Sequence, residues 1–295
     1  MSDIPIEHAG SADASAFVQD DIACRKCAYN LRGLSLAGRC PECGSPVGVS
    51  VQGNLLRYSD PAWIDALAKG LWITLWAIVA SLFSNLLGVG LEATLGDRGG
   101  ILASILLLGA SAVGFWGAFL LTTPDPSGDD DAGGFNVRRF VRVTLLIGLG
   151  AGVIATIGKH AGVPSQVMVG VAAIAGLGSL IGLAGEFARY VLLERLALRV
   201  PAPDLAKLCR VVRWGYAICL GVGVLIGMVA AVVAVAAGAA AAPVLCLFLV
   251  AMIGVLVFAL VAIRVQYRLA KAFGEQARIA RSTWAGFGEG VPASS

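Results

Sequence analysis

Between Arg213 and Arg264 the chain carries no charged residue for fifty positions. As one α-helix, residues 214–263 would extend about 75 Å at 1.5 Å per residue, whereas the hydrocarbon core of a bilayer is only about 30 Å thick. One crossing cannot absorb that length, so the stretch must fold back. The run of alanines ending in Pro243 places the corner at 238–243 and predicts spans at 215–236 and 244–263.

Four further stretches are long and apolar enough to cross: 70–91, 99–121, 140–158 and 165–185. The third requires Arg142 to snorkel toward the headgroups, and His160 and Pro164 mark the turn before the fourth. Composition agrees, with 58% hydrophobic and 14% charged residues, against about 25% charged in an ordinary soluble domain. The predicted fold class is an all-α membrane protein, a six-helix transmembrane bundle behind a small N-terminal β-type ribbon.

The basic residues test this placement, because cytoplasmic loops carry excess Lys and Arg. Arg25, Lys26, Arg32, Arg39, Arg57 and Lys69 precede the first span, and Arg138, Arg139 and Arg142 lie between the second and third. Arg189, Arg195, Arg199, Lys207, Arg210 and Arg213 separate the fourth from the fifth, and Arg264, Arg268, Lys271, Arg278 and Arg281 follow the sixth. Only Arg98 and Lys159 fall on the other side, so 20 of 22 cations share one face. A soluble helical core would instead scatter charge along every amphipathic helix. Both termini are therefore expected in the cytoplasm.

Residues 1–23 are acidic and rich in small residues, without a basic segment leading into an apolar run, and are expected to be a disordered tail and not a signal peptide. In a reducing compartment cysteines more often hold metal than form disulfides. Cys24 and Cys27 make one C-x2-C pair, and Cys40 and Cys43 make another twelve residues on. Four thiolates on two tight turns can close a tetrahedral site around one structural Zn2+ per chain, with Pro41 and Gly44 shaping the second turn. The alternatives are rubredoxin-like iron or a redox dithiol. Arg25, Lys26 and Arg39 are placed to offset the charge of four thiolates, a role preferred here to binding nucleic acid.

The phrase Cys24-Arg25-Lys26-Cys27-Ala28-Tyr29-Asn30-Leu31-Arg32-Gly33-Leu34, closing with Cys40-Pro41-Glu42-Cys43-Gly44, resembles the ribbon heading a group of uncharacterised bacterial multi-pass membrane proteins. There, as in residues 54–63 here, a Leu-Leu-Arg-Tyr-x-Asp-Pro-x-Trp-like segment leads into the first span. The resemblance covers about 45 residues, with Ala28 where such ribbons more often have Gly. It implies a bacterial inner membrane and supplies no activity.

The expected domain order is tail 1–23, zinc ribbon 24–48, linker and interfacial helix 49–69, transmembrane bundle 70–263, and cytosolic helix and tail 264–295. Asp60 and Pro61 start the interfacial helix, and Trp63, Trp72 and Trp214 are expected at headgroup level. Arg264, Arg268 and Lys271 share a helix face suited to anionic lipid headgroups. Asp125, Asp129, Asp130 and Asp131 read as a solvated loop. Cys209, Cys219 and Cys246 read as buried apolar residues, and the Gly148/Gly152, Gly178/Gly182 and Gly223/Gly227 pairs as helix-packing signals. Ser81, Ser84 and Asn85 form the most polar cluster inside a span.

No catalytic or cofactor-binding residue set emerges beyond the four cysteines, and the chain is not expected to be an enzyme. The expected role is a membrane-anchored interaction or regulatory protein, with a possible protein partner on the ribbon. The alternative is a transporter or channel for a small neutral solute.

Overall fold

Asp60 accepts a hydrogen bond from the backbone N–H of Ala62 at 3.0 Å while Pro61 supplies a preset first helical residue, and a long helix starts there. The structure, a computed structural model, describes residues 17–127, 136–161, 164–215, 217, 218, 221 and 242–289. Its helices are α1 (Val47–Val51), α2 (Pro61–Leu95), α3 (Asp97–Leu121), α4 (Val137–His160), α5 (Ser165–Leu198), α6 (203–215) and α7 (Ala242–Glu289), with a 3-10 turn at Leu56–Tyr58.

Among the described residues four helices are long and apolar enough to cross a membrane: Pro61–Leu95, Asp97–Leu121, Val137–His160 and Gly170–Leu198. The 244–263 stretch forms the first part of α7, and most of 215–236 lies outside the described residues. The interfacial helix expected over 49–69 is not a separate element. α2 runs unbroken through it into the first apolar stretch, because nothing between Pro61 and Leu95 interrupts the backbone ladder. Its 35 residues extend about 52 Å, well beyond the hydrocarbon thickness.

The helices pair as hairpins through small residues. A Cβ at Gly70 would stand 2.7 Å from the carbonyl oxygen of Gly117, so α2 and α3 approach backbone to backbone. In the second hairpin a Cβ at Gly148 would lie 3.4 Å from the Cα of Gly182, and one at Gly178 would overlap Ala151. Gly148 and Gly182 thus meet face to face, whereas Gly223 and Gly227 lie outside the described residues. At the end away from the ribbon, Lys159 pairs with Glu92 at 3.1 Å and His160 Nε2 lies 3.0 Å from Ser104 Oγ, tying one hairpin to the other.

The largest buried cluster sits at the ribbon side. Ile64, Leu67 and Leu71 of α2, Leu193 and Leu196 of α5, Val212 of α6, and Leu269 and Phe273 of α7 interlock there. Along the apolar stretches large side chains instead face outward, as with Leu86, Val89, Ile105 and Leu177. Arg142 reaches to the end of α3. Its Nε donates to Thr122 Oγ1 at 2.8 Å and its guanidinium lies 4.1 Å over the Phe119 ring, satisfying the last turn of α3.

Candidate metal centre

Each cysteine pair lies on a tight turn, and the two turns repeat with an offset of sixteen residues. Ala28 N donates to Cys24 O at 2.9 Å, as Gly44 N does to Cys40 O. Cys24 N donates to Tyr29 O and Cys40 N to Ser45 O, each at 2.8 Å. Single antiparallel bridges, Ala23 with Asn30 and Arg39 with Pro46, close both turns. These short returns leave one residue pair per bridge. The β-type ribbon expected from sequence therefore forms no regular strand among the described residues.

The repeat demands the same backbone at its pivots, and Gly44 takes φ 69° while Ala28 takes φ 62°. Glycine enters this left-handed region freely, whereas an L-residue there costs about 1–2 kcal/mol. Among the described residues Ala28 is the sole non-glycine with positive φ.

The turns bring all four thiols together. Cys24 and Cys43 sulfurs lie 3.6 Å apart, as do those of Cys27 and Cys40, and all four lie within 4.8 Å of one another. A tetrahedron with metal–sulfur bonds of about 2.3 Å has edges of roughly 3.8 Å, so this set could hold a metal ion. The spacings are far from the roughly 2.05 Å of a disulfide.

Polar groups around the sulfurs complete the cage. Ser45 Oγ lies 2.9 Å from Cys43 Sγ and 3.2 Å from Cys24 Sγ. Burial acts to raise the Cys24 thiol, but hydrogen bonds from Ser45 and from the backbone N–H of Lys26 and Cys27 bring it down to about 7. Loss of hydration and the crowding sulfurs push Cys27 up to about 12. Coordination requires thiolates, so metal uptake must drive protons off this set.

The flanking residues explain the rest of the motif. Asn30 Nδ2 donates to Asp21 Oδ1 at 2.8 Å and Arg32 pairs with Asp21 at 3.3 Å, which holds the Asp21 carboxyl below its ordinary range. Gly33 N donates to Val18 O at 2.8 Å and Val18 N to Leu34 O at 2.9 Å. Residues 17–23, expected to belong to a disordered tail, are thus laced to the ribbon, with Val18 buried against Leu31 and Val47. The expected role of Arg25 also changes. Its guanidinium donates to Gly53 O at 2.9 Å and Asn54 Oδ1 at 3.2 Å, fastening the linker beyond the metal site.

That linker is locked to the helices by Arg199, the C-cap of α5. Arg199 Nε donates to Asn54 O at 3.1 Å, one terminal nitrogen to Ser59 Oγ at 2.9 Å, and the other to Asp125 Oδ2 at 2.7 Å. Leu56 N donates to the Arg199 carbonyl at 2.9 Å. Trp63, expected at headgroup level, is buried with the Arg138 and Arg199 guanidiniums over its ring and its Nε1 donating to Thr123 O at 3.0 Å. Asp125, expected in a solvated loop, is buried. Desolvation opposes its charge, but the Arg199 hydrogen bond outweighs this and holds its carboxyl below the ordinary range. Asp129, Asp130 and Asp131 lie outside the described residues.

Sequence reading found the four sulfurs and missed Ser45, Arg199 and Asp125, whose partners lie as much as 145 positions away in the chain. No protein-family model, curated protein or solved structure matches this chain.

Proposed function

We propose that this is a multi-pass protein of a bacterial inner membrane, with six spans and both termini in the cytoplasm, whose ribbon holds one structural zinc and presents a docking surface to a protein partner. The observation that carries the reading is the Arg199 junction, since a module fixed to the helix ends by one buried ion pair suits presentation in a set orientation. Zinc is favoured because four thiolates fill a tetrahedral shell and leave no position for a reacting water. The exposed cations Arg264, Arg268 and Lys271 of α7 suit contact with anionic headgroups at the same face. The resemblance of the ribbon phrase to those of uncharacterised bacterial membrane proteins supports the location.

Metal analysis of the purified chain tests the first half, with one zinc per chain expected and iron overturning it. Affinity capture from native membranes tests the second. A partner bound by the wild type and lost from Cys24→Ser and Cys43→Ser variants is expected, and an identical partner set overturns docking through the ribbon. A second reading, a transporter or channel for a small neutral solute, is favoured by a cleft of about 470 Å3 between the helices. Saturable uptake into reconstituted vesicles would put it first.

A further inference from the structure

The cleft has two chemically different ends. Along α2 its lining runs from Thr74 to Asn85, about 16 Å at 1.5 Å per residue, or half of a hydrocarbon core about 30 Å thick. The part deeper in the apolar stretches is walled by Leu108, Gly148 and Gly152 together with Ser81, Asn85 and Ser111, whose side chains donate to carbonyls of their own helices. Leu82 also lines it while 43% exposed, so the cleft opens sideways through the apolar faces of the helices.

At the ribbon-side end the lining changes to Glu186, Arg189 and Tyr190. Glu186 and Arg189 form an i, i+3 ion pair whose arginine side chain is 5% exposed and whose glutamate is 37% exposed. Behind them Gln266, fully buried and not itself part of the lining, donates its Nε2 to Tyr190 Oη at 3.2 Å. An ion pair in the lining, its arginine almost wholly out of solvent, makes this the polar end of the cleft.

Three ligand classes can be compared with this lining. A hydrated solute would meet alanine, leucine and glycine walls, while the donors of Ser81, Asn85 and Ser111 are already used within their own helices. A plain hydrocarbon would bury the ion pair with no polar group against it. An anionic amphiphile would add an uncompensated charge to a pair that already sums to zero, at low dielectric. An amphiphile with one chain and a head bearing both charges meets every part of the lining.

We propose that the cleft binds one zwitterionic phospholipid from the ribbon-side leaflet, its phosphate at Arg189, its ammonium at Glu186, and one acyl chain along the Gly148–Gly152 wall. The depth of the cleft selects a lipid of one leaflet, and its lateral opening gives the route of entry. This site is separate from the exposed basic face of α7, which meets headgroups at the surface.

The test uses the full chain in nanodiscs with an ethanolamine phospholipid carrying a diazirine on its acyl chain, followed by mapping of the adducts. Adducts are expected to concentrate on Ser81, Leu82, Ser111 and Gly152. Unlabelled ethanolamine lipid should displace them about tenfold better than unlabelled phosphatidylglycerol. Glu186→Gln leaves the cleft with a net positive charge and should reverse that order, a readout that loss of packing alone would not give. Gly152→Ile should lower the adduct yield, because a Cβ there has only Leu108 Cδ2 near it, at 3.8 Å, and the larger side chain fills the wall. Adducts spread evenly over outward-facing positions such as Leu86 and Ile105, or equal competition by the two headgroups in the wild type, would overturn the proposal. Both results come from the wild-type chain, so misfolding of a variant does not shelter it.

Discussion

Two apolar clusters meet at the ribbon side of this molecule, and they are built on opposite terms. The ribbon's cluster consists of Val18, Cys24, Leu31, Cys40 and Val47, of which two are candidate metal ligands. The helical cluster draws Leu56, Leu67, Leu196, Leu269, Phe273 and their neighbours from six helices and the 3-10 turn, with no candidate metal ligand set among them. A module of some 35 residues cannot bury enough apolar surface to offset its chain entropy, so on the proposed reading a bound ion supplies what the side chains lack. The contrast teaches that one end of the chain can lose its fold while the other keeps it.

Stripping the metal should break the comparison most severely. Structural zinc contributes an apparent 10–16 kcal/mol or so to such folds, so chelation should open residues 17–51 to trypsin at Lys26, Arg32 and Arg39. The helical circular dichroism signal of the same sample should hardly change. Equal loss of both would show a single cooperative unit.

Phe273→Ala probes the other cluster. Truncating a fully buried phenylalanine should destabilise the helices by about 3–5 kcal/mol, read by thermal unfolding in detergent, with metal content unchanged. Asp125→Asn attacks the seam instead. It leaves the nearly buried Arg199 guanidinium without its counter-charge, at a cost of about 3 kcal/mol, and should free the linker to proteolysis while both clusters persist.

The same pair sets a pH window. Because the folded Asp125 carboxyl is held below its ordinary value of 3.8, its contribution is fully present above that value and is lost as pH falls through the folded pKa. The stability difference between wild type and Asp125→Asn should thus stay flat from about pH 5 to 8 and shrink only in stronger acid. A change centred near neutrality would assign the seam to another group.

The smallest effect sharpens the comparison inside the ribbon. Ala28→Gly should stabilise the holo module and Gly44→Ala should destabilise it, each by about 1 kcal/mol, measured by chelator competition. No neighbouring atom lies within 4 Å of a Cβ at Gly44, so the second effect would come from backbone strain alone.

What the sequence revealed and what it hid divide along the range of the forces involved. Apolar run length, the C-x2-C spacings and the Asp60–Pro61 start are local, and the helices and the sulfur cluster follow from them. The pairing of Gly148 with Gly182 was half legible, because small residues at that spacing announce a close contact without naming the partner. The roles of Arg25, Arg199 and Asp125 were not legible. Each depends on contacts between segments distant in the chain, and an arginine that follows an apolar run reads first as a headgroup anchor. The missed start of the ribbon has a similar cause, since Val18 is one apolar residue in an acidic segment and its two backbone bonds leave no compositional mark.

Arg199 closes the last turn of α5 and grips the linker at Asn54, Leu56 and Ser59 while its other terminal nitrogen is held by Asp125 just beyond α3. One side chain therefore acts as a rivet through three layers, with no slack between the helix end and the thiol cage. Any sliding of α5 past α3 must either drag the cage along with it or shear the rivet.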